Sequence, residues 1–274
     1  MNIEVMERPA PSARALDGKV ALVTGSTSGI GLGVARALAE SGARIALNGF
    51  GTPDVVAAEV AAIETDFGVS AIHLDADMAK PGEIAALMEK ALDAFGRLDI
   101  LVNNAGIQHV AKLEEFPVEK WDAILAINLS SAFHTTRFAL PIMRRNGYGR
   151  IVNIASAHAL VGSPFKSAYV AAKHGLLGLT KVTALETAEE GITCNAICPG
   201  YVYTPLVETQ IEGQAKAHGI PRDQVIRDVL LAQQPNKRFA SVQEIGALAA
   251  FLATEAASSI TGAVLAVDGG WTAH

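Results

Sequence analysis

The chain contains few aromatic residues, few charged residues and few cysteines. Of its 274 residues, 5% are aromatic, 18% are charged, and only Cys194 and Cys198 are cysteines. These two cysteines share one apolar segment, and no second pair or nearby histidine completes a metal site. We therefore expect reduced, partly buried thiols. The seven histidines are scattered without ligand spacing, so a metal enzyme is not expected.

A basic excess and a long apolar run are also missing. The chain contains 22 Lys and Arg residues and 28 Asp and Glu residues, which gives a net charge of −6. This balance argues against a dedicated nucleic-acid or anionic-membrane binder, because such proteins need a basic face. No apolar run reaches the length of about eighteen residues that a transmembrane helix requires. Residues 1–16 carry acids and prolines without an apolar signal core, and we interpret them as a flexible lead-in to a cytoplasmic protein.

What the chain does have is aliphatic residues in short, regular runs. Half of its residues are hydrophobic and the mean hydropathy is +0.29, so a large core can form. Apolar runs alternate with segments of helical periodicity, which predicts an α/β domain over residues 17–274 with a doubly wound (Rossmann-like) parallel sheet and helices on both faces. The predicted strands are 19–24, 44–48, 71–75, 100–103, 150–155, 193–197 and 263–267. The predicted helices are 31–41, 55–67, 82–95, part of 118–144, 167–190 and 242–254.

One segment interrupts the alternation of strands and helices. Residues 205–235 are rich in polar residues, are bounded by prolines and follow the carboxyl end of a predicted strand. A helical lid over a ligand site and a decorative pair of surface helices both fit this pattern. We favour the lid, because ligands bind at the carboxyl ends of strands in such sheets.

A glycine-rich turn joins the first predicted strand to the first predicted helix. It reads Thr24-Gly25-Ser26-Thr27-Ser28-Gly29-Ile30-Gly31. Gly25 permits a tight turn, Gly29 allows backbone to approach a pyrophosphate, and Gly31 lets the helix pack closely on the strand. The helix N-terminus then offers free amides and a partial positive charge to phosphate groups. The turn therefore predicts a dinucleotide site.

The spacing of this loop resembles the cofactor loop of the short-chain dehydrogenase/reductase family. Further motifs follow in family order: Asp77 in LDADM, Asn103-Asn104-Ala105-Gly106, Asn128, Ser156, Tyr169-x-x-x-Lys173 and Pro199-Gly200. The resemblance runs from about Leu16 to the C-terminus, and it implies a homotetramer. The cofactor-binding residues that we predict are Gly25, Thr27, Ser28, Gly29, Ile30, Gly31, Phe50, Asp77, Met78, Asn104, Ala105, Gly106, Tyr169, Lys173, Pro199, Gly200, Val202 and Thr204.

The residues near the expected adenosine end favour NAD over NADP. The 2′-phosphate of NADP generally requires an Arg or Lys partner near the end of the second strand. Neither the Ser26–Ser28 turn nor the Asn48–Gly51 segment supplies one. The usual acidic residue for the ribose is also absent, so Asn48 or backbone groups are the candidates for the ribose hydroxyls. Phe50 is a candidate for packing near adenine.

Tyr169 and Lys173 lie one helical turn apart, so both project from one face of a helix. A free tyrosine has a pKa of about 10. We expect the lysine ammonium, together with the positive nicotinamide ring, to favour the phenolate and to lower this pKa, so that Tyr169 acts as the general base toward an alcohol. Ser156, at the end of a strand, is positioned to bond the reacting oxygen. The family resemblance implies that Asn128 holds a water linking Lys173 to solvent and that Lys173 binds the nicotinamide ribose.

Several polar residues surround the expected reaction site. Together they supply hydrogen-bond donors and one cation, which suits a small carboxylate. Five of them are Gln108, His158, Lys166, Gln210 and Trp271. This set resembles the substrate-binding set of the bacterial D-3-hydroxybutyrate dehydrogenases, which implies reversible oxidation of (R)-3-hydroxybutyrate to acetoacetate with NAD. Ser156 and Tyr169, which are predicted to contact the reacting oxygen, complete the set. The predicted substrate residues are therefore Gln108, Ser156, His158, Lys166, Tyr169, Gln210 and Trp271.

Other functions remain as alternatives. A 3-oxoacyl-thioester reductase of the same family would normally prefer NADPH and would need a basic patch for an acidic carrier protein, and the sequence shows neither clearly. Another short-chain hydroxy-acid or alcohol dehydrogenase would share all the catalytic motifs. A non-catalytic dinucleotide-binding protein would have no need for Ser156, Tyr169 and Lys173 together. A serine hydrolase lacks support, because no Gly-x-Ser-x-Gly motif is present.

Overall fold

A single parallel sheet organises the chain. The computed structural model describes residues 14–204, 207–208, 211–212, 215 and 219–273. Its strands are β1 (Val20–Val23), β2 (Arg44–Leu47), β3 (Ala71–His73), β4 (Ile100–Asn103), β5 (Gly149–Ile154), β6 (Ile192–Pro199) and β7 (Val264–Val267). All pairings are parallel, in the order β3-β2-β1-β4-β5-β6-β7. The strand order reverses between β1 and β4, as in doubly wound folds, and the predicted fold class is confirmed.

Helices connect the strands and cover both faces of the sheet. They are α1 (Gly29–Glu40), α2 (Pro53–Phe67), α3 (Pro81–Phe95), α4 (Val118–Leu125), α5 (Ser131–Asn146), α6 (Ser167–Glu186), a short α7 (Arg222–Gln224) and α8 (Val242–Leu252). Local sequence sets several of their ends. Both α2 and α3 begin with proline and end at a left-handed glycine. A capping box between Ser241 and Glu244 starts α8. Two stretches, Ala126–Ser130 and Val225–Leu230, are π-helical.

Strand β1 is buried on both faces of the sheet, which explains why all its residues are apolar. Ala21 and Val23 face the core cluster that α1, α2 and α8 complete. Val20 and Leu22 face the opposite cluster, to which α3 and α5 contribute. Successive side chains of a strand point to opposite faces, so a strand covered on both faces must be apolar throughout. The unbroken apolar runs of the sequence follow from this two-sided burial.

Three smaller features bear on the sequence predictions. Leu16, assigned to the lead-in, is fully buried in the core, and its backbone N–H donates to Ser41 O at 2.8 Å. Of the predicted lid segment, Val207, Val225 and other described residues form an apolar cluster. Both cysteines are free and fully buried. None of the helices formed by the described residues is both long and apolar enough to cross a membrane.

The parallel arrangement gathers the predicted site residues at one edge. The carboxyl ends of β1, β4, β5 and β6 all open on the same edge of the sheet, because these strands run in the same direction. The turns that follow them carry the glycine loop, Asn104–Gln108, Ser156 and Tyr201 respectively. Helix α6 returns along the sheet and brings Tyr169 in its first turn to the same edge.

Candidate active site

The glycine loop has the conformation that a phosphate group needs. Ser28 is extended and caps α1 without a side-chain hydrogen bond, and no acidic residue occupies the first turn. Gly25 and Gly29 have positive φ angles of 60° and 56°, which glycine adopts without steric cost. A Cβ on Gly31 would lie 2.3 Å from Gly25 O. The helix N-terminus therefore presents open amides to an anion, and Gly31 is glycine because the loop packs against it.

Asn104 and Thr24 hold this loop against the turn after β4. The Asn104 side-chain amide donates to Thr24 O at 2.9 Å and to Gly25 O at 2.8 Å. The Thr24 hydroxyl accepts from the backbone amides of Asn104 and Ala105 at 3.0 and 3.1 Å. Asn104, predicted to bind the cofactor, thus uses its side chain to shape the loop. Sequence reasoning missed Thr24, although it stands directly before the first glycine.

Asn48 does not have a side chain free for a ribose. It is fully buried. Its amide nitrogen donates to Leu74 O and Ala76 O at 3.1 and 3.2 Å, and its oxygen accepts from Gly25 N at 3.4 Å. Of the two candidates for the ribose hydroxyls, the Asn48 side chain is engaged elsewhere, because it joins β2 to the glycine loop and to the turn after β3. Backbone groups of the following residues are left as the candidates. Phe50 is 72% exposed and open to a ligand.

One cleft brings together ten of the predicted cofactor residues and two of the predicted catalytic residues, Tyr169 and Lys173, whereas Ser156 and Asn128 do not line it. Its volume is about 600 Å³. Of the predicted cofactor set, Thr27, Gly31, Phe50, Asp77, Met78, Pro199, Gly200 and Val202 do not line it. A larger groove of about 1000 Å³ runs along α1 and α8, but it contains none of the predicted catalytic side chains. The residues lining the smaller cleft are Gly25, Ser28, Gly29, Ile30, Asn104, Ala105, Gly106, Ile107, Gln108, Ile154, Ala155, Tyr169, Lys173 and Thr204.

Several of the predicted cofactor residues outside the cleft lining have structural contacts. The Thr27 hydroxyl donates to Phe50 O at 2.7 Å. Asp77 accepts from Ala79 N at 2.9 Å and pairs with Lys80. Val202 is buried within the core that α1 and α8 share. Thr27 and Asp77 thus have structural contacts in turns near the cleft, and Val202 packs in the core, although none of the three lines the cleft itself.

Tyr169 and Lys173 point toward the same cleft from α6. The Lys173 ammonium lies 5.7 Å from the centre of the Tyr169 ring and donates to Ile154 O at 2.8 Å. Burial lowers the pKa of Lys173 to about 8. Burial also raises the pKa of Tyr169, although a hydrogen bond with the Ser156 hydroxyl lowers it. Burial of the phenol has the larger effect in the protein without a cofactor, and the lowering expected from Lys173 together with a positive nicotinamide ring stays a prediction.

Asn128 lies in the π-helical stretch that follows α4. Its side-chain oxygen accepts from Ile107 N and its side-chain nitrogen donates to Ile107 O, both at 2.9 Å. The side chain thus fastens the turn after β4 to the helix behind it. One N–H and one oxygen lone pair of the amide remain after these bonds, so the side chain and the backbone of Asn128 are both candidates for holding a water beside Lys173. Single π turns are frequent at functional sites because they disturb the regular bonding of helix carbonyls.

A basic and aromatic wall adjoins Tyr169. The Lys166 ammonium lies 2.9 Å from His158 Nε2. Burial and this ammonium lower the pKa of His158 to about 4, and burial lowers the pKa of Lys166. His158 is therefore neutral at physiological pH, and its Nε2 accepts the bond from Lys166. The His158 ring meets Tyr169 edge-on at 6.2 Å and Trp271 edge-on at 5.0 Å.

Tyr201 belongs to the same wall, and sequence reasoning missed it. Its ring stacks on the Trp271 indole at 6.0 Å with an interplanar angle of 7°. The available signal was an aromatic residue directly after Pro199-Gly200. The predicted substrate residues His158, Lys166 and Trp271 are thus in one place, and Gln108 lines the adjoining cleft. Gln210 lies outside the residues that the structure describes.

Comparison with known proteins identifies the family. A family model described as enoyl-(acyl carrier protein) reductase matches residues 25–272, which include the glycine loop, the cleft and the wall. The chain belongs to the short-chain dehydrogenase/reductase family. It is therefore an oxidoreductase, and the family resemblance inferred from the motifs is confirmed.

Individual members of this short-chain dehydrogenase/reductase family are similar over nearly the whole chain. The D-beta-hydroxybutyrate dehydrogenase of Rhizobium meliloti strain 1021 is 58% identical over 259 residues, which cover 93% of this chain and 99% of that protein. The protein of the same name from Cupriavidus necator strain H16 is also 58% identical, over 94% of this chain and 100% of that protein. A crystal structure from Sinorhizobium meliloti 1021, described as a short-chain alcohol dehydrogenase, aligns with a TM-score of 0.85 and 37% identity over 96% of this chain and 99% of that one.

Proposed function

We propose that this chain oxidises (R)-3-hydroxybutyrate to acetoacetate with reduction of NAD, in a reversible reaction. The observation that carries the proposal is the Lys166–His158 pair, at 2.9 Å, beside Tyr169. It places a half-buried cation close to the proposed general base, where a short 3-hydroxy acid would put its carboxylate and its hydroxyl. The 58% identity with two D-beta-hydroxybutyrate dehydrogenases supports the same substrate.

The residues around the cleft fit a dinucleotide. The open amides of α1 suit the pyrophosphate, and Lys173 at the cleft suits the nicotinamide ribose. A nicotinamide cofactor, when bound, supplies the acceptor for the hydride that leaves the alcohol carbon. We infer NAD as this cofactor because the described residues around Thr27 and Phe50 include no Arg or Lys that could pair with a 2′-phosphate.

The side chains of the site can handle the proton and the carboxylate. Tyr169, as phenolate, accepts the proton from the substrate hydroxyl while the Ser156 hydroxyl hydrogen-bonds the reacting oxygen. Lys173, whose pKa is about 8, is largely protonated at neutral pH and stabilises the phenolate. Lys166 pairs with the substrate carboxylate, and Trp271 with Tyr201 closes the far side of the pocket. The same groups run the reverse reaction, with Tyr169 donating the proton to the ketone.

An NADH absorbance assay with a panel of 3-hydroxy acids tests the function. We expect the highest kcat/KM with (R)-3-hydroxybutyrate and NAD, lower values with longer acids, and little turnover of the (S)-enantiomer or of NADP. Thioester substrates serve as the contrasting set. Efficient reduction of a 3-oxoacyl thioester with NADPH, together with no oxidation of hydroxybutyrate, would assign the chain to the reductase alternative. No turnover of any substrate would favour a non-catalytic role.

We also propose that the chain assembles as a homotetramer. Large apolar side chains are exposed on α5 and α6: Phe133 is 47% exposed, Val182 52% and Leu185 79%. Exposed apolar residues gathered on neighbouring helices are typical of subunit interfaces. Light scattering should give four times the chain mass of 28.6 kDa, and Leu185→Glu should reduce that mass. A wild-type particle of monomer mass at micromolar concentration would contradict the tetramer.

A further inference from the structure

Three segments that are distant in sequence meet behind the wall of the pocket. They are the exit of β6 at Gly200, the end of the polar insert at Gln234–Asn236, and the turn Asp268–Thr272 after β7. A Cβ on Gly200 would lie 2.5 Å from Gln234 Oε1 and 2.9 Å from Asp268 Cα. The strand exit is therefore tightly enclosed between the other two segments, and each of the three restricts the position of the others.

The side-chain amide of Gln234 makes hydrogen bonds to three residues, through both its oxygen and its nitrogen. It is 1% exposed. Its oxygen accepts from Tyr201 N at 3.1 Å, and its nitrogen donates to Arg238 O and, at 3.3 Å, to Asn236 Oδ1. The backbone of Tyr201 is thus held by a buried side chain from the insert. Loss of a buried partner leaves a polar group without compensation, so such a contact resists displacement.

The C-terminal turn is held in a matching way. Asn236 N donates to Gly269 O at 3.2 Å. The Asp268 carboxylate accepts from Gly270 N at 3.0 Å and from Thr272 N at 2.9 Å, and it also accepts from the Thr272 hydroxyl at 2.6 Å. These bonds fix Gly270 and Thr272, the two residues adjacent to Trp271 in the sequence. The path from Gln234 through Asn236 to Gly269 therefore connects the backbone of Tyr201 with the backbone of Trp271.

The two rings that this network holds belong to the wall beside Tyr169, where we propose that the substrate binds. Tyr201 stacks on Trp271, and Trp271 meets His158 at 5.0 Å. Gln234 itself is too deeply buried to touch a substrate. If it moves, the rings move relative to the Lys166–His158 pair, and the space between that pair and the indole changes.

We propose that Gln234 is a positioning residue for substrate size, acting through Tyr201 and Trp271. This inference rests on the proposed oxidation of a short 3-hydroxy acid. By fixing both rings, Gln234 limits the pocket to a short acid and excludes longer chains. The polar insert thereby contributes to selectivity through its carboxyl-terminal end, where it is joined to the wall.

Gln234→Met tests the proposal, because methionine keeps the length and approximate volume of glutamine but cannot make these hydrogen bonds. We expect KM for (R)-3-hydroxybutyrate to rise about ten-fold, while kcat and KM for NAD stay within about two-fold. The ratio of kcat/KM for 3-hydroxybutyrate to kcat/KM for 3-hydroxyhexanoate should decrease. In a Trp121→Phe background, which leaves Trp271 as the single tryptophan, the emission of Trp271 should shift to longer wavelength.

The matched control is Gln243→Met, because Gln243 is exposed on α8. It should change neither the chain-length preference nor the emission. Gln234→Glu retains the acceptor for Tyr201 N, so its chain-length preference should lie between those of the wild type and Gln234→Met. If the methionine variant does not fold, the glutamate variant takes its place in the test. An unchanged preference and an unchanged emission in both Gln234 variants would refute the proposal. If wild-type protein oxidises no 3-hydroxy acid, the proposed function fails, and the emission shift still decides whether Gln234 positions Trp271.

Discussion

Tyr169→Phe should lower kcat by about 10²- to 10⁴-fold, the usual contribution of a positioned general acid or base. The variant keeps the aromatic ring and removes only the hydroxyl that would take the substrate proton. Binding of NAD, measured by fluorescence titration, should remain close to that of the wild type, because the phosphate loop lies on α1 and not on α6. Initial rates of NADH formation give kcat.

The control for this variant is Tyr148→Phe. Tyr148 is buried at the amino end of β5, at the opposite edge of the sheet, and its hydroxyl donates to Ala253 O. Its removal should lower thermal stability, because one buried hydrogen bond is lost, and should leave kcat near normal. If Tyr169→Phe retained near-normal turnover with an unchanged Tm, the assignment of Tyr169 as the base would be refuted.

Lys166→Ala should raise KM for the hydroxy acid by about ten-fold or more. The substrate carboxylate would lose a charge-assisted hydrogen bond of roughly 1.5–3 kcal/mol, and about 1.4 kcal/mol corresponds to ten-fold in affinity. KM for NAD should not change, because Lys166 contacts His158 and does not line the cofactor cleft. Lys181→Ala is the matched control, since Lys181 is exposed on α6, the helix that Lys166 directly precedes. An unchanged KM for the acid would remove Lys166 from the pocket.

The pH dependence of KM gives an independent check on Lys166. Burial lowers the pKa of this lysine from 10.5, so its ammonium is lost as pH rises through that lowered value. We expect KM for the acid to be flat at neutral pH and to rise under alkaline conditions below pH 10.5. His158, with a pKa of about 4, should add no step between pH 5.5 and 7. In Lys166→Arg the cation persists, and the alkaline rise should disappear.

Much of the fold is visible in the sequence because its strands are buried on both sides. Runs such as Val20–Val23 and residues 100–102 are apolar throughout, and helices with a different period separate them. The errors are at element ends. Helix α1 begins at Gly29, two residues before the predicted start, since extended Ser28 caps it. Helix α6 ends at Glu186, four residues before the predicted end. Such ends depend on local hydrogen bonds that apolar periodicity does not encode.

The site was predictable where a motif has a fixed local geometry. The glycine loop and the Tyr169–Lys173 spacing each lie within one turn or one helix, so their arrangement follows from the chain itself. The role of Asn48 was not predictable, because its partners Leu74 and Ala76 come from a different part of the sheet. The same holds for the bond between Gln234 and Tyr201. Long-range contacts of this kind require the folded structure.

The parallel order of the sheet ties the appearance of activity to the completion of folding. The glycine loop follows β1, the catalytic helix α6 follows β5, and the aromatic rings Tyr201 and Trp271 follow β6 and β7. Among the described strands, β7 is at the edge of the sheet and pairs with β6. Helices can form from neighbouring residues, whereas these strand pairings join distant parts of the chain and are slow to close. During renaturation, the helical signal should therefore return before catalytic competence. Enzyme activity thus reports on the last steps of assembly of this molecule.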